Sequence, residues 1–315
     1  MTKPLAQGKP APSLLPKGVS VFERGWLSSN NILLVSPEAS ALIDSGYALH
    51  APQTLELVDA ALDGENLDVL VNTHLHSDHC GGNAALQDAY PGMSTFIPPG
   101  HSEYVRAWDP QALTYTPTGQ NCPQFGFDAV LVPGTDIRLG GLQWQIHAAP
   151  GHDPHSVILF EPISRVLVSA DALWERGFGV VFPELEGLDA FDAVGKTIDL
   201  IESLAPKAVI PGHGPVFTEV DQAIAFARQR LDSFVTDPAK HVRYAAKVLL
   251  NFKLLEVQRI AESRLIAWAQ STSYFPLILA THFPGMDFSG RVAELIQELV
   301  RSGAAVRDGA MVHNA

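Results

Sequence analysis

Four side chains able to bind a metal ion fall between His74 and His79, in the run Thr73-His74-Leu75-His76-Ser77-Asp78-His79. In an extended segment alternate side chains point the same way, so one cation can take both His74 and His76. Asp78 and His79 then turn off the end of the strand and can reach a second ion nearby. Gly81-Gly82 permit a tight turn into a helix beginning near Asn83. Four ligands are too few for two hydrolytic ions. Three other places supply more: Ala149-Pro150-Gly151-His152, Val168-Ser169-Ala170-Asp171 and Ile210-Pro211-Gly212-His213. Each sets a histidine or aspartate where an apolar run ends, and groups from several strand ends can converge on one edge of a sandwich.

The elements that must hold these residues can be read around them. Up to about Pro16 the chain is rich in proline and is expected to drape over the surface. Asn31–Ser36 and Ala41–Asp44, closed by Ser45-Gly46, read as paired strands. Leu55, Val58, Ala61 and Leu62 recur at helical spacing within Pro52–Leu62, and Leu67–Thr73 reads as a strand buried on both faces. Further on, Leu142, Trp144 and Ile146 alternate with polar residues. Val157–Glu161 and Arg165–Ser169 flank the turn Pro162-Ile163-Ser164. A helix over Asp189–Leu204 and a strand over Lys207–Ile210 follow. Hairpins first, then helices interleaved with strands, predict a mixed α/β sandwich.

From about Glu219 the strand signals stop. Asp221–Val235 and Ala239–Ala269 are helical in pattern on either side of Asp237-Pro238, and Gly290–Arg301 is amphipathic. Ala304–His313 closes the chain with a hairpin signal at Asp308-Gly309. This order resembles a winged-helix fold. The expected organisation is an extension over 1–18, a catalytic domain over 19–237 and a helical, winged-helix-like domain over 238–315. Charge follows the same division: residues 238–315 hold nine Lys/Arg and six Asp/Glu, while residues 1–237 hold 12 and 28.

A net charge of −13 does not favour wholesale nucleic-acid binding through the bulk of the protein. Two cysteines, Cys80 and Cys122, are too few for a disulfide scaffold and suit a reducing compartment. No secretion signal or membrane-length apolar run is visible, so a cytoplasmic protein is expected. The helices of the tail carry broad apolar faces that the sandwich or a second copy must cover, which makes a homodimer one expectation.

With these motifs in place, the stretch from about Val19 to Thr218 resembles the metallo-β-lactamase-fold hydrolases. The resemblance implies a four-layer αββα sandwich with the site along one edge of its two sheets. It also implies two divalent metal ions, zinc first, with iron or manganese as the alternatives. His74, His76 and His152 would bind one ion and Asp78, His79 and His213 the other, with Asp171 bridging both. Asp44, in Leu42-Ile43-Asp44-Ser45-Gly46, matches a strand–turn of that superfamily and would support the ligands from behind. Two ions about 3.5–4 Å apart bring the pKa of a shared water from ~15.7 towards ~7, giving a hydroxide that attacks a carbonyl or phosphoryl centre. Asp78 and Asp171 would be the catalytic carboxylates, Asp78 also orienting the hydroxide.

Asp171 argues against β-lactam hydrolysis, and the tail is too short for a flavodoxin-like domain. A glyoxalase II-like or lactonase-like branch remains, acting on a small-molecule carboxylic ester, thioester or lactone; an acidic main domain repels polyphosphates. Phosphodiester cleavage on RNA is the runner-up, on the strength of the basic tail. A mononuclear-iron sulfur dioxygenase and a non-catalytic sensor are readings from other classes. Pro98–Gln124, with Tyr104, Trp108 and Tyr115, is expected to be a lid, a pocket wall or an excursion packing its own aromatics.

Overall fold

The computed structural model describes residues 14–282, 285 and 287–315, so most of the proline-rich extension lies outside it. Six strands form a first sheet in chain order: β1 (Val19–Phe22), β2 (Asn31–Val35), β3 (Ser40–Ile43), β4 (Val69–Val71), β5 (Ser94–Ile97) and β6 (Ala129–Val130). The first three are antiparallel, and β3 to β6 are parallel. A second sheet runs in the order β11-β10-β9-β8-β7. Its strands are β7 (Asp136–Leu139), β8 (Leu142–Ala148), β9 (Val157–Glu161), β10 (Val166–Ala170) and β11 (Ala208–Pro211). The expected hairpin of β9 and β10 forms, and β10 then pairs in parallel with β11.

The sheets face each other across one apolar layer. Ile32, Leu34, Ile43 and Val71 come from the first, and Trp144, Ile146, Leu159, Val168 and Ile210 from the second. Helices α1 (Ala51–Leu62), α2 (Ser77–Cys80) and α3 (Asn83–Ala89) follow the early strands. In α1, Val58 and Leu62 pack on the outer face of the first sheet beside Leu86 of α3. On the outer face of the second sheet, α7 (Phe191–Leu204) and α8 (Val220–Thr236) bury Val194, Ile198, Ile201, Ile224 and Ala227. The architecture is therefore an α/β sandwich of four layers. Between β5 and β6 the chain makes α4 (Ser102–Ala107) and α5 (Tyr115–Thr118), and α6 (Phe182–Leu185) follows β10. The stretch Pro98–Gln124 both packs its own aromatics and forms cavity wall. Trp108 packs against Tyr115 and Phe125, while Thr114, Pro117 and Gln120 line cavities.

Four further helices complete the chain: α9 (Pro238–Val257), α10 (Glu262–Ser271), α11 (Tyr274–His282) and α12 (Phe288–Arg301). They enclose a separate apolar cluster that includes Leu249, Leu250, Leu265, Phe275, Ile278, Val292 and Leu295. The helical expectation over Ala239–Ala269 is corrected at one point. Gln258 takes a left-handed φ of 64°, and β12 (Arg259–Ala261) pairs with β14 (Met311–Asn314). With β13 (Ala305–Asp308), these make a third sheet around the terminal hairpin. The apolar faces that invited a homodimer are covered within the chain by this cluster. No helix among the described residues is long and apolar enough to cross a membrane.

His241 ties α9 to the sandwich. Its Nε2 accepts the Val181 N–H at 3.0 Å, and its ring lies against Phe191 and Phe234. An acceptor nitrogen must be unprotonated, and burial, followed by the neighbouring His282 imidazole, holds the His241 pKa down at about 4. The unfolded chain takes up this proton near pH 6.5, so stability is lost as pH falls from there towards 4. From pH 7 to pH 5 the native sequence should lose about 2 kcal/mol more than His241→Gln does. Urea titrations of both proteins at the two pH values test this; equal losses would remove His241 as an acid-sensitive tie.

Candidate metal centre

The run after β4 leaves the sheet through Asn72 and Thr73, passes His74 and His76, and enters the short α2, which carries Asp78 and His79. His152 follows β8, Asp171 follows β10 and His213 follows β11, as their positions after strand signals foretold. Ala170 takes a left-handed φ of 46°, which turns Asp171 off the strand. Gly212 lets the next strand end approach, since a Cβ there would stand 2.2 Å from Asp171 Oδ1.

All seven side chains meet. Ligand-capable atoms of His74, His76 and His152 lie within 4.8 Å of one another, as do those of His74, His79 and Asp171, and those of Asp78, His79 and His213. Asp171 sits among them with its two oxygens facing different partners. Oδ2 is 3.4 Å from His152 Nε2, whereas Oδ1 is 3.5 Å from His79 Nε2 and 3.8 Å from His213 Nε2. Asp78 Oδ2 is 3.2 Å from His213 Nε2, and His76 Nδ1 is 2.8 Å from His152 Nε2.

The outward-facing nitrogens are fixed from behind. Asp44, just past β3, accepts the Thr73 N–H at 2.8 Å and the Thr73 hydroxyl at 2.8 Å. Its Oδ2 also lies 2.7 Å from His79 Nδ1. His152 Nδ1 donates to the Val180 carbonyl, and His213 Nδ1 to the Gly25 carbonyl at 3.1 Å. Such bonds choose the tautomer that leaves Nε2 with a free lone pair. His74 Nε2 and His79 Nε2 are buried without a hydrogen-bond partner, which is rare for interior polar atoms. Imidazole nitrogens and carboxylates so grouped suit a divalent cation of borderline hardness.

Charge divides the cluster in two. Burial, then the surrounding imidazoles, push the His74 pKa well below its ordinary value, and burial with His152 brings His76 down to about 4. For His79 burial also works downward, but Asp44 and Asp171 outweigh it and hold the imidazole well above its usual range. His213 is raised in the same way by Asp171 and Asp78. Burial would lift the Asp171 carboxyl, yet His213 and His79 keep it well below the carboxylate range. One side of the site thus offers lone pairs at neutral pH, while the other would exchange protons for a cation.

Several aromatic residues that the sequence reading did not assign to the site line it. The Trp26 ring stacks on His213 at 5.3 Å, Trp174 meets the same ring edge-on, and Phe182 meets His76 and His152. A cavity of about 80 Å³ lies over the cluster, closed by Val248, Leu249 and Phe252 of α9. Cys80 is a buried neighbour whose thiol donates to the His76 carbonyl at 3.2 Å. On β8, His147 Nε2 lies 3.4 Å from Gln145 Oε1.

Comparison with known proteins adds a family. Residues 24–213 match the model of the metallo-beta-lactamase superfamily. A hydroxyacylglutathione hydrolase from Brucella anthropi is 27% identical over 214 residues, covering 67% of this chain and 68% of that one. An acyl-coenzyme A thioesterase from Homo sapiens is 26% identical over 217 residues, 62% of this chain and 78% of its own. A beta-lactamase domain protein from Burkholderia ambifaria has a similar fold along 96% of this chain and 93% of its own, with a TM-score of 0.60 at 19% identity.

Asp44 is the side chain whose loss should be felt most in the apo protein. Asp44→Ala leaves the Thr73 N–H unpaired and the His79 imidazole without its buried counter-charge, a loss of about 3–5 kcal/mol. Asp44→Asn keeps an acceptor for Thr73 and should cost less. Urea denaturation after chelation measures both; an alanine variant within about 0.5 kcal/mol of the native protein would contradict this role.

Proposed function

The chain belongs to the metallo-beta-lactamase superfamily, and from that premise we propose that it is a dinuclear metal-dependent hydrolase of thioesters, with carboxylic esters and lactones as neighbouring substrate classes. The observation that carries the reading is the meeting of two three-residue groups at Asp171. His74, His76 and His152 would hold one ion, Asp78, His79 and His213 a second, and Asp171 would touch both. Zinc fits this mixture of nitrogen and carboxylate donors. Hydrolase relatives named for thioester substrates support the choice of bond.

When bound, the ions acidify water and polarise the scissile carbonyl. The remaining work falls to the chain. Asp78 is kept ionised against the effect of burial by its contact with His213, so it can accept a hydrogen bond from the attacking water and orient it. Asp44 holds the His79 ring still through Nδ1. Trp26, Trp174 and Phe182 exclude bulk solvent from the imidazoles, which strengthens every charge interaction inside.

The alternatives lose ground on particular contacts. In the region read as winged-helix-like, 238–315, six of nine basic side chains are engaged by carboxylates: Arg243, Lys247, Lys253, Arg259, Arg291 and Arg307. That leaves little free positive surface for RNA. Two ligand groups rather than one favour two ions over a mononuclear iron. A cytoplasmic setting fits Cys80 and Cys122, free thiols with sulfurs 3.8 Å apart.

A panel of thioesters, lactones, phosphodiesters and nitrocefin, offered to zinc-loaded protein, tests the activity. Thioesters should be the best substrates, and His76→Ala should lower their turnover by several orders of magnitude. Elemental analysis should find two ions per native chain and fewer in His213→Ala. About one iron per chain with consumption of O₂ would overturn the hydrolase reading.

A further inference from the structure

A second cavity, of about 390 Å³, opens beside the one over the cluster and shares His76, Thr114 and Phe182 with it. Its walls come from both halves of the chain. Leu75, Leu113, Pro117 and Phe182 belong to the sandwich side, and Leu277 to α11. Leu188 and Leu277, at 59% and 48% exposure, are among the most exposed large apolar side chains of the protein, and both line this cavity. The charged residues of the lining are two carboxylates, Asp153 and Glu186, with no lysine or arginine. Asp153 accepts the His155 N–H at 2.7 Å, and Glu186 faces the Tyr274 hydroxyl at 3.2 Å. His101 also borders the space, and burial lowers its pKa, which favours the uncharged imidazole.

We infer that this cavity is the acyl subsite, that it takes an uncharged apolar acyl group, and that Leu277 limits the length accepted. The inference rests on the thioester reading of the metal centre. An alkyl chain entering past His76 covers leucines otherwise left in water, and each buried methylene strengthens binding by about fourfold. An acyl group that ends in a free carboxylate, such as succinyl, would instead carry that negative charge among Asp153 and Glu186, with no lysine or arginine in the lining to receive it. A third cavity, of about 250 Å³, adjoins the central one through Trp26, Trp174, Val248 and Phe252. Its lining is mainly aromatic and apolar, and its lysine, Lys247, is paired with Glu298 at 3.1 Å. The scissile bond then lies over the cluster, where the acyl cavity meets the central one at His76, Thr114 and Phe182.

The test uses the zinc-loaded full chain with N-acetylcysteamine thioesters of straight-chain acids from two to twelve carbons, and with the succinyl thioester. In parallel, methyl ketones of the same chain lengths, which cannot be hydrolysed, are titrated calorimetrically. For the native protein, kcat/KM should rise about fourfold per methylene and then level off, and ketone affinity should follow the same course. Succinyl should react at least 100-fold more slowly than butyryl. Leu277→Trp, a change at an exposed position, should move the levelling point to shorter chains in both measurements. Leu188→Glu should weaken long chains most. Thioester cleavage that ignores chain length, or ignores both substitutions, overturns the acyl subsite and leaves the hydrolase reading standing. Succinyl cleaved as fast as butyryl overturns the exclusion of charge. Ketone binding that depends on chain length and on Leu277, with no thioester cleaved, overturns the hydrolase reading and supports an apolar-ligand cavity. Neither binding nor cleavage overturns both.

Discussion

Five imidazoles and two carboxylates share a space from which water is largely excluded, and the fold is arranged around making that tolerable. A buried nitrogen without a partner forfeits its hydration, and a buried charge forfeits far more. Asp44 meets the largest part of the difficulty: one side chain accepts a backbone N–H and a hydroxyl from Thr73 and faces the His79 ring. Because Asp44 lies at the end of β3 and Thr73 just beyond β4, these bonds can form only when the two strands are in register. The pairing of Ile43 with Val71 supplies that register. Correct strand pairing and correct presentation of His79 are therefore one event.

The tail depends on the same region from the other side. Helix α9 contributes Leu249 to its own apolar cluster, while Val248, Leu249 and Phe252 also close the cavity over the imidazoles. At its far end, the Tyr47 hydroxyl donates to Glu256 at 2.8 Å and accepts the Asn121 N–H at 3.0 Å. One tyrosine next to Gly46 thus joins the first sheet, the wall segment and the tail. His241 makes a comparable join to the turn before α6. A helix held at both ends in this way cannot swing clear of the site without breaking bonds in the sandwich.

Much of this was legible in the residues and some was not. The ligand-capable set was readable because it depends on local spacing: alternate histidines, a turn through glycines, and Pro-Gly-His at strand ends. The sandwich was readable because buried strands leave apolar runs bounded by turn residues. Trp26 was invisible, since nothing in its neighbourhood says that an exposed tryptophan will stack on a histidine 187 residues later. Helix α9 showed a broad apolar face, but no local rule says that three of its residues face the metal centre. Strand β12 was lost inside a helical pattern because its pairing partner lies more than fifty residues away and Gln258 is not a residue that announces a left-handed turn.

These failures share a cause, and it bears on how the site works. Spacing fixes which groups can bind and turn over a bond, whereas long-range packing fixes what can approach it. The ligand candidates come from strand ends and adjoining turns, where the backbone is held by two rigid sheets. The cavity walls come from loops and from a separate helical cluster, where sequence can change without moving a ligand. Phe182 stands at the junction, its ring against His76 and His152 on one side and Tyr274 of α11 on the other. A shift of α11 would reach the imidazoles through that ring, so the walls of the larger cavity are mechanically joined to the ligand cluster.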